Sequence, residues 1–234
     1  MQCKLSKRLT AIVQMVDRCK VVAEIGTDHG KIPAYLVSNA IAQKAVASDI
    51  SLPSLKKAMA LAKSMGIEQR VDFRLGDGLE VLKVGEADTI IIAGIGGDLT
   101  VNMLKEGKSV IQDSILILQP MKDDGLVRKY LVDTGYAIIG EDLVEDRHKI
   151  YAIIKAQKGH MEVERDILME IGPILYAMRH PLLVPYMKNK VRMIKDILGQ
   201  KEDEKLLLKI QEMEGIIREL KVSRCDRGHR GAGS

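Results

Sequence analysis

The sequence predicts an α/β fold: a mostly parallel sheet with an antiparallel edge hairpin, followed by a helical, coiled-coil-like C-terminal domain. Three observations carry this. Solid apolar runs of strand length alternate with helical patterns up to Gly135, which fits parallel strands covered on both faces. Two apolar runs then follow each other with no room for a helix between them, so they pair as a hairpin. After Gly159 the strand signal stops and only helical periodicity remains.

The elements follow in order. Leu5, Leu9, Ile12, Val13 and Val16 recur at helical spacing behind Ser6 as cap, and the outer face carries Lys4, Lys7 and Arg8. VVAEI (21–25) is a first strand, and a helix runs from about Ile32 to Asn39. AVASDI (45–50) is a second strand, and the helix after it places Pro53 in its first turn. VDFRLGDGLE contains a third strand ending near Gly76. DTIIIAGIGG (88–97) contains the fourth and most β-branched strand, before a helix at about Leu99–Lys105. SILILQP (114–120) is the fifth, and a helix from Leu126 to Thr134 ends at Gly135. YAIIGEDLVEDRHKIYAIIKAQ is the hairpin. MEVERDILMEIGPILYAM is helical with a break at Gly172-Pro173. Two apolar stripes, Val184 to Leu198 and Leu206 to Leu220, predict an antiparallel pair with a coiled-coil-like seam, joined by GQKEDE. The domain expectation is therefore 1–158, 159–222, and a polar Gly/Arg-rich tail at 223–234 without fixed structure.

Composition excludes several function classes. The chain has 234 residues, 46% hydrophobic, enough for a sizeable core. It has no tryptophan and one phenylalanine, Phe73, so an aromatic platform for many stacked bases is not expected. Net charge is +4: residues 1–159 carry 22 basic against 20 acidic side chains and the rest 14 against 12, so basicity is not concentrated. Cys3, Cys19 and Cys225 show no metal spacing, and the five histidines form no ligand cluster, so no metal site is expected. The cysteine usage fits a reducing, cytoplasmic setting. No signal peptide and no membrane span are read from the sequence. Oligomeric state is left open, a monomer being one reading.

The chemistry concentrates at strand ends, where open α/β sheets bind ligands. Glu24-Ile25-Gly26-Thr27-Asp28-His29-Gly30 matches the acidic-x-Gly-x-Gly-x-Gly frame of a methyltransferase cofactor loop with one substitution. It equally fits a strand-to-helix turn with Asp28 as cap. Asp49, 23 residues after Gly26, is placed to accept both ribose hydroxyls of a nucleoside cofactor, with Ile50 beside it. Asp77 and Gly78 suit an adenine amino group. Ala93, Gly94 and Gly96 leave room at the reactive end. Gln119, ending the fifth strand, has an amide suited to a base edge. His29 is a candidate for proton transfer, a structural role being the other reading of a lone loop histidine. Lys188, Arg192 and Lys195 share a helix face that fits phosphates or simply solvent.

These residues together resemble the bacterial tRNA adenine-22 N1-methyltransferase family. The resemblance rests on LSKRL (5–9), EIGTDHGKIP (24–33), ASDI (47–50), LGDGL (75–79), AGIGGDL (93–99), LQP (118–120) and EIGPIL (170–175), and covers roughly residues 4–200. It implies a Rossmann-like methyltransferase domain, a C-terminal helical coiled-coil domain, S-adenosylmethionine as cofactor, and tRNA methylated at N1 of an adenine in the D-arm region. By position, Gly26, Thr27, Asp49, Asp77 and Gly78 match the cofactor site, and Asp28 and His29 match a pair facing the methyl-transfer pocket. Lys7, Arg8 and Lys31 join Lys188, Arg192 and Lys195 as expected RNA contacts. Lys31 stands where the family usually has an aromatic, and Met121 where it usually has asparagine. The rival readings are a methyltransferase with another RNA or protein acceptor, and a non-catalytic RNA-binding protein that kept the fold. An NAD-linked oxidoreductase fits worse, because G-x-G-x-x-G is absent.

Overall fold

The computed structural model describes residues 3–199 and 203–228, with side chains as far as Lys221. It divides into two compact units, Met1–Glu162 and Val163–Ser234.

In the first unit, α1 (Lys7–Gln14) precedes β1 (Cys19–Ile25). Then come α2 (Lys31–Ser38), β2 (Ala42–Asp49), α3 (Leu52–Ser64), β3 (Val71–Leu75), β4 (Thr89–Ile95), α4 (Gly97–Glu106), a short α5 (Lys108–Ile111), β5 (Ile115–Pro120) and α6 (Asp124–Asp133). The long hairpin β6 (Tyr136–Asp146) and β7 (Lys149–Lys158) closes the unit. The seven strands are ordered β3-β2-β1-β4-β5-β7-β6. Strands β1 to β5 pair in parallel, and β7 is antiparallel to both β5 and β6. This is a Rossmann-like α/β sheet with an antiparallel edge.

The central strands are buried on both faces, as their continuous apolar runs require: Val22–Ile25, Thr89–Ile92 and Leu116–Pro120 are all buried. Strand order reverses at β1 and β4, so the crevice lies between their carboxyl ends. Helix α1 is capped by Ser6, whose hydroxyl accepts from the Leu9 amide at 3.3 Å. It buries Ala11, Ile12 and Val13. Because β7 runs against β5, and β6 against β7, the β6–β7 turn emerges at the carboxyl end of the parallel strands. A hairpin appended here must present its tip to the crevice.

The GIGG run is used in two ways. Gly94 sits at φ +82 in a bulge of β4, between Ala93 and Ile95, where a side chain would be strained. Gly97 opens α4 against the Asp123 carbonyl, leaving no room for a Cβ. Behind the sheet, Arg128 of α6 is fully buried and binds Glu141 of β6 at 2.6 Å and Asp124 one turn away.

The second unit contains α7 (Ile167–Ile171), α8 (Pro173–Ala177), α9 (Leu183–Leu198) and α10 (Glu204–Gly228). The helical segment expected over 161–178 is shorter, and its break falls at Gly172-Pro173 as expected. Tyr186, Met187 and Val191 of α9 are buried, as are Ile210, Met213, Ile216 and Leu220 of α10. Lys195 reaches Glu214 at 2.7 Å, and Lys209 reaches Glu170 at 2.6 Å. Helix α10 continues to Gly228, through the first part of the segment expected to lack structure; residues 229–234 lie outside the described residues.

Replacing Arg128 strands two buried carboxylates. Arg128→Met is predicted to destabilise the protein by about 3–5 kcal/mol in urea unfolding; a loss under about 1 kcal/mol would show the pair to be dispensable.

Candidate active site

The opening loop leaves β1 as its last hydrogen bonds pass to the neighbouring strand: the Gly26 and Thr27 amides both donate to the Ser48 carbonyl, at 2.9 and 2.8 Å. Gly26 takes φ +79, with open space where a side chain would be. The loop therefore turns sharply and leaves its backbone exposed to a ligand. A cavity of about 560 Å³ opens there, at the carboxyl ends of β1 and β4. Glu24, Gly26, Thr27, Asp28, His29 and Lys31 of the β1–α2 segment line it, as do Ala93 and Gly94 of β4. Ser6, Arg8, Met121, Asp146, Arg147 and Tyr151 are among the other lining residues.

The other expected cofactor residues stand on adjacent strand ends outside this lining. Asp49 pairs in register with Leu75, and one of its oxygens accepts from the Ser51 amide at 2.7 Å. Ser51 itself caps α3, so Asp49 is not needed as that cap. Ile50 is 72% exposed and Leu75 58%, an apolar ledge beside the Asp49 carboxylate. Asp77 is exposed, and its amide donates to Glu80 at 3.3 Å across the short turn that contains Gly78. Gly96 precedes α4, with Lys122 beside it. These ends form one shelf from β4 through β1 and β2 to β3. Open backbone at Gly26, an acid at Asp49 and an apolar ledge fit a nucleoside cofactor such as S-adenosylmethionine.

Glu24 is buried, and its carboxylate accepts from the Thr27 hydroxyl. Burial pushes its pKa up to about 7; the Thr27 hydrogen bond opposes this, Asp49 reinforces it, and Arg8 opposes it more weakly. Asp28 and His29 form a pair at 2.6 Å between Asp28 Oδ2 and His29 Nδ1, both open to solvent.

Two expected roles change with the geometry. Gln119 is fully buried and is not among the cavity-lining residues: its amide oxygen accepts from Arg8, and its nitrogen donates to the Pro120 carbonyl at 2.8 Å. Arg8 does not stay on the outer helix face. Its guanidinium carbon lies 5.6 Å from the Tyr151 ring centroid, and its amide donates to Asp146 at 3.2 Å. Lys7 is exposed, and Lys31 is exposed at the cavity. In the second unit Lys188, Arg192 and Lys195 are exposed on α9, with Lys195 held by Glu214. The hairpin residues Asp146, Arg147 and Tyr151 were missed by sequence reasoning, because they line the cavity through strand pairing and not through any local motif. Among the described residues no group of three or more His, Cys, Asp or Glu could hold a metal, and no helix is long and apolar enough to cross a membrane.

The Glu24 shift has a consequence for stability. Its native pKa lies above the unfolded value of about 4.3, so the native state keeps a proton that the unfolded state releases. Stability from this source is full below the unfolded value and lost as pH rises through 7. Without cofactor, the stability of wild type relative to Glu24→Gln is predicted to fall by about 3 kcal/mol between about pH 4 and pH 8. A pH-independent difference in urea unfolding would contradict this.

Comparison with known proteins agrees with the geometry. A methyltransferase-domain family model matches residues 5–154. The tRNA (adenine(22)-N(1))-methyltransferase of Bacillus subtilis is 36% identical over 178 residues, 74% of this chain and 75% of that protein. The crystal structure of B. subtilis m1A22 tRNA methyltransferase TrmK superposes with a TM-score of 0.81 at 30% identity, covering 94% of this chain and 99% of that one. Streptococcus pneumoniae Sp1610, solved in complex with S-adenosyl-L-methionine, superposes with a TM-score of 0.84 at 26% identity, covering 92% of this chain and 100% of that one. With its Gly26–Thr27 loop, strand-end shelf and solvent-open Asp28–His29 pair, the chain belongs to the bacterial tRNA (adenine-22-N1)-methyltransferase family.

Proposed function

We propose that this chain methylates N1 of an adenine in tRNA, at position 22 of the D-arm region, using S-adenosylmethionine. The observation that carries the reading is the single cavity joining the Gly26–Thr27 end of the cofactor shelf to the Asp28–His29 pair and Arg8. Bound cofactor supplies an electrophilic methyl group on a sulfonium. Gly26, Thr27, Glu24, Asp49, Ile50, Asp77, Gly78, Ala93, Gly94 and Gly96 are the residues that would hold it.

Adenine N1 carries an in-plane lone pair, so in-line attack needs no base to remove a proton first. Holding the ring in line therefore supplies much of the rate. Methylation leaves the ring cationic. The Asp28 carboxylate can accept from the exocyclic amine and offset that charge as it develops, while His29, held at 2.6 Å, keeps the carboxylate in place. Gln119 acts through Arg8 as a positioning residue. The target base is stacked within the tRNA and must be extruded to reach the cavity. Lys7 and Lys31, with Lys188, Arg192 and Lys195 of α9, are suited to backbone phosphates. Such a partner fits a cytoplasmic protein. Lys31 and Met121 both line the cavity, and this favours one second reading: the same methyl transfer to another RNA acceptor.

Labelled S-adenosylmethionine incubated with unmodified tRNAs, with and without adenine at position 22, is expected to label only the first set, with 1-methyladenine mapped to that position. Label at another position would favour the second reading, and no label on any RNA would defeat both. Asp28→Asn is expected to slow transfer by about ten- to a hundredfold with cofactor affinity little changed; full activity would remove Asp28 from the mechanism.

A further inference from the structure

The β6–β7 hairpin closes in an unusual way. Asp146 pairs with Lys149, leaving a two-residue turn of Arg147 and His148. Both have positive φ, 51° and 64°. Turns of this kind are normally made by Asn-Gly or Asp-Gly, because a side chain is strained there. Strain kept at two consecutive residues points to a use for their side chains.

The turn delivers that use at the cavity. Arg147 lines it, as do Asp146 just before the turn and Tyr151 just after it. The tip is anchored: Asp146 accepts from the Arg8 amide at 3.2 Å, and hydrogen bonds from Ser6 and then Arg8 hold its carboxyl below the usual range. Tyr151 is the one phenylalanine, tyrosine or tryptophan among the residues lining the cavity. Arg8 fixes its ring from 5.6 Å. An extruded nucleotide needs a flat π surface for the base and a cation for its phosphate. The hairpin tip offers both on one rigid element, in the same cavity as Asp28 and His29.

We propose that the tip of the β6–β7 hairpin is the clamp for the acceptor nucleotide, with Tyr151 stacking on the extruded adenine and Arg147 contacting the adjoining phosphate. This rests on the reading that the chain methylates a tRNA adenine.

The test uses the full chain and an unmodified tRNA with adenine at position 22. Tyr151→Leu is expected to slow single-turnover transfer by about ten- to a hundredfold, the range of one lost base stack. Tyr151→Phe should stay within about threefold of wild type, since the ring remains. Cofactor affinity, measured by calorimetry, should change less than about twofold in both. Arg147→Gly separates function from folding, because glycine relieves the left-handed strain. It should raise Tm, yet weaken tRNA binding and reduce the slope of log affinity against log salt by about one. Wild-type transfer by Tyr151→Leu, equal losses of transfer and cofactor affinity, or an unchanged salt slope in Arg147→Gly would each overturn the clamp. Failure of the wild-type protein to methylate tRNA adenine at all would instead overturn the underlying functional reading, and it is seen before any variant is compared.

Discussion

The hydrogen bond between Arg8 and Gln119 is the contact on which the acceptor side of the site depends. It ties the first helix to the end of β5. The same guanidinium faces the Tyr151 ring, and the Arg8 backbone is held by Asp146, so α1, β5 and the hairpin meet at one residue. A hydrogen bond to a charged partner contributes about 1.5–3 kcal/mol where water is excluded. Gln119 is fully buried, so losing Arg8 would leave its amide oxygen without that donor, a cost of similar size. The part of the lining built from α1, β5 and the hairpin is therefore set by one cation and not by three independent packing contacts.

That cation also shapes the field inside the cavity. Burial pushes the Glu24 pKa up to about 7, and Arg8 opposes this only weakly, so Glu24 brings less negative charge than an exposed carboxylate would. The lining sets the acids Glu24, Asp28 and Asp146 against the cations Arg8, Lys31 and Arg147, so neither sign of charge dominates it. A sulfonium cofactor and a methylated adenine ring are cationic and suit the carboxylates, while acceptor phosphates suit Lys31 and Arg147.

Much of the fold was legible because its strands are solid apolar runs. TIIIAGI and ILILQP read as buried strands from local pattern alone, and both are. The shelf residues were legible for a related reason: a strand's last apolar residue marks its carboxyl end, and ligands gather there. What escaped depends on contacts distant in sequence. Arg8 was read as an outward phosphate contact because its helix was considered alone, whereas the hairpin and β5 draw it inward. Gln119 looks available in LQP, and only its burial shows that its amide is already committed. Helix α5 is four residues long, too short for periodicity to register. The Arg147-His148 turn carries none of the glycine or asparagine that usually marks a hairpin.

The antiparallel edge is more than a way to end the sheet. A parallel strand added beside β5 would need a crossover, returning the chain to the far end before it could run forward again. The hairpin instead places β7 directly against β5, with Leu118 opposite Ile154. That pairing carries the start of β7 past the level at which β5 ends. Asp146, Arg147 and Tyr151 then reach the crevice through backbone pairing alone, and the short turn leaves the tip little freedom to swing away. A site that must hold a base in line with a methyl group tolerates displacements of only about an ångström. A wall built from paired strands, pinned at its tip by Arg8 and Asp146, meets that tolerance better than a free loop of the same residues would.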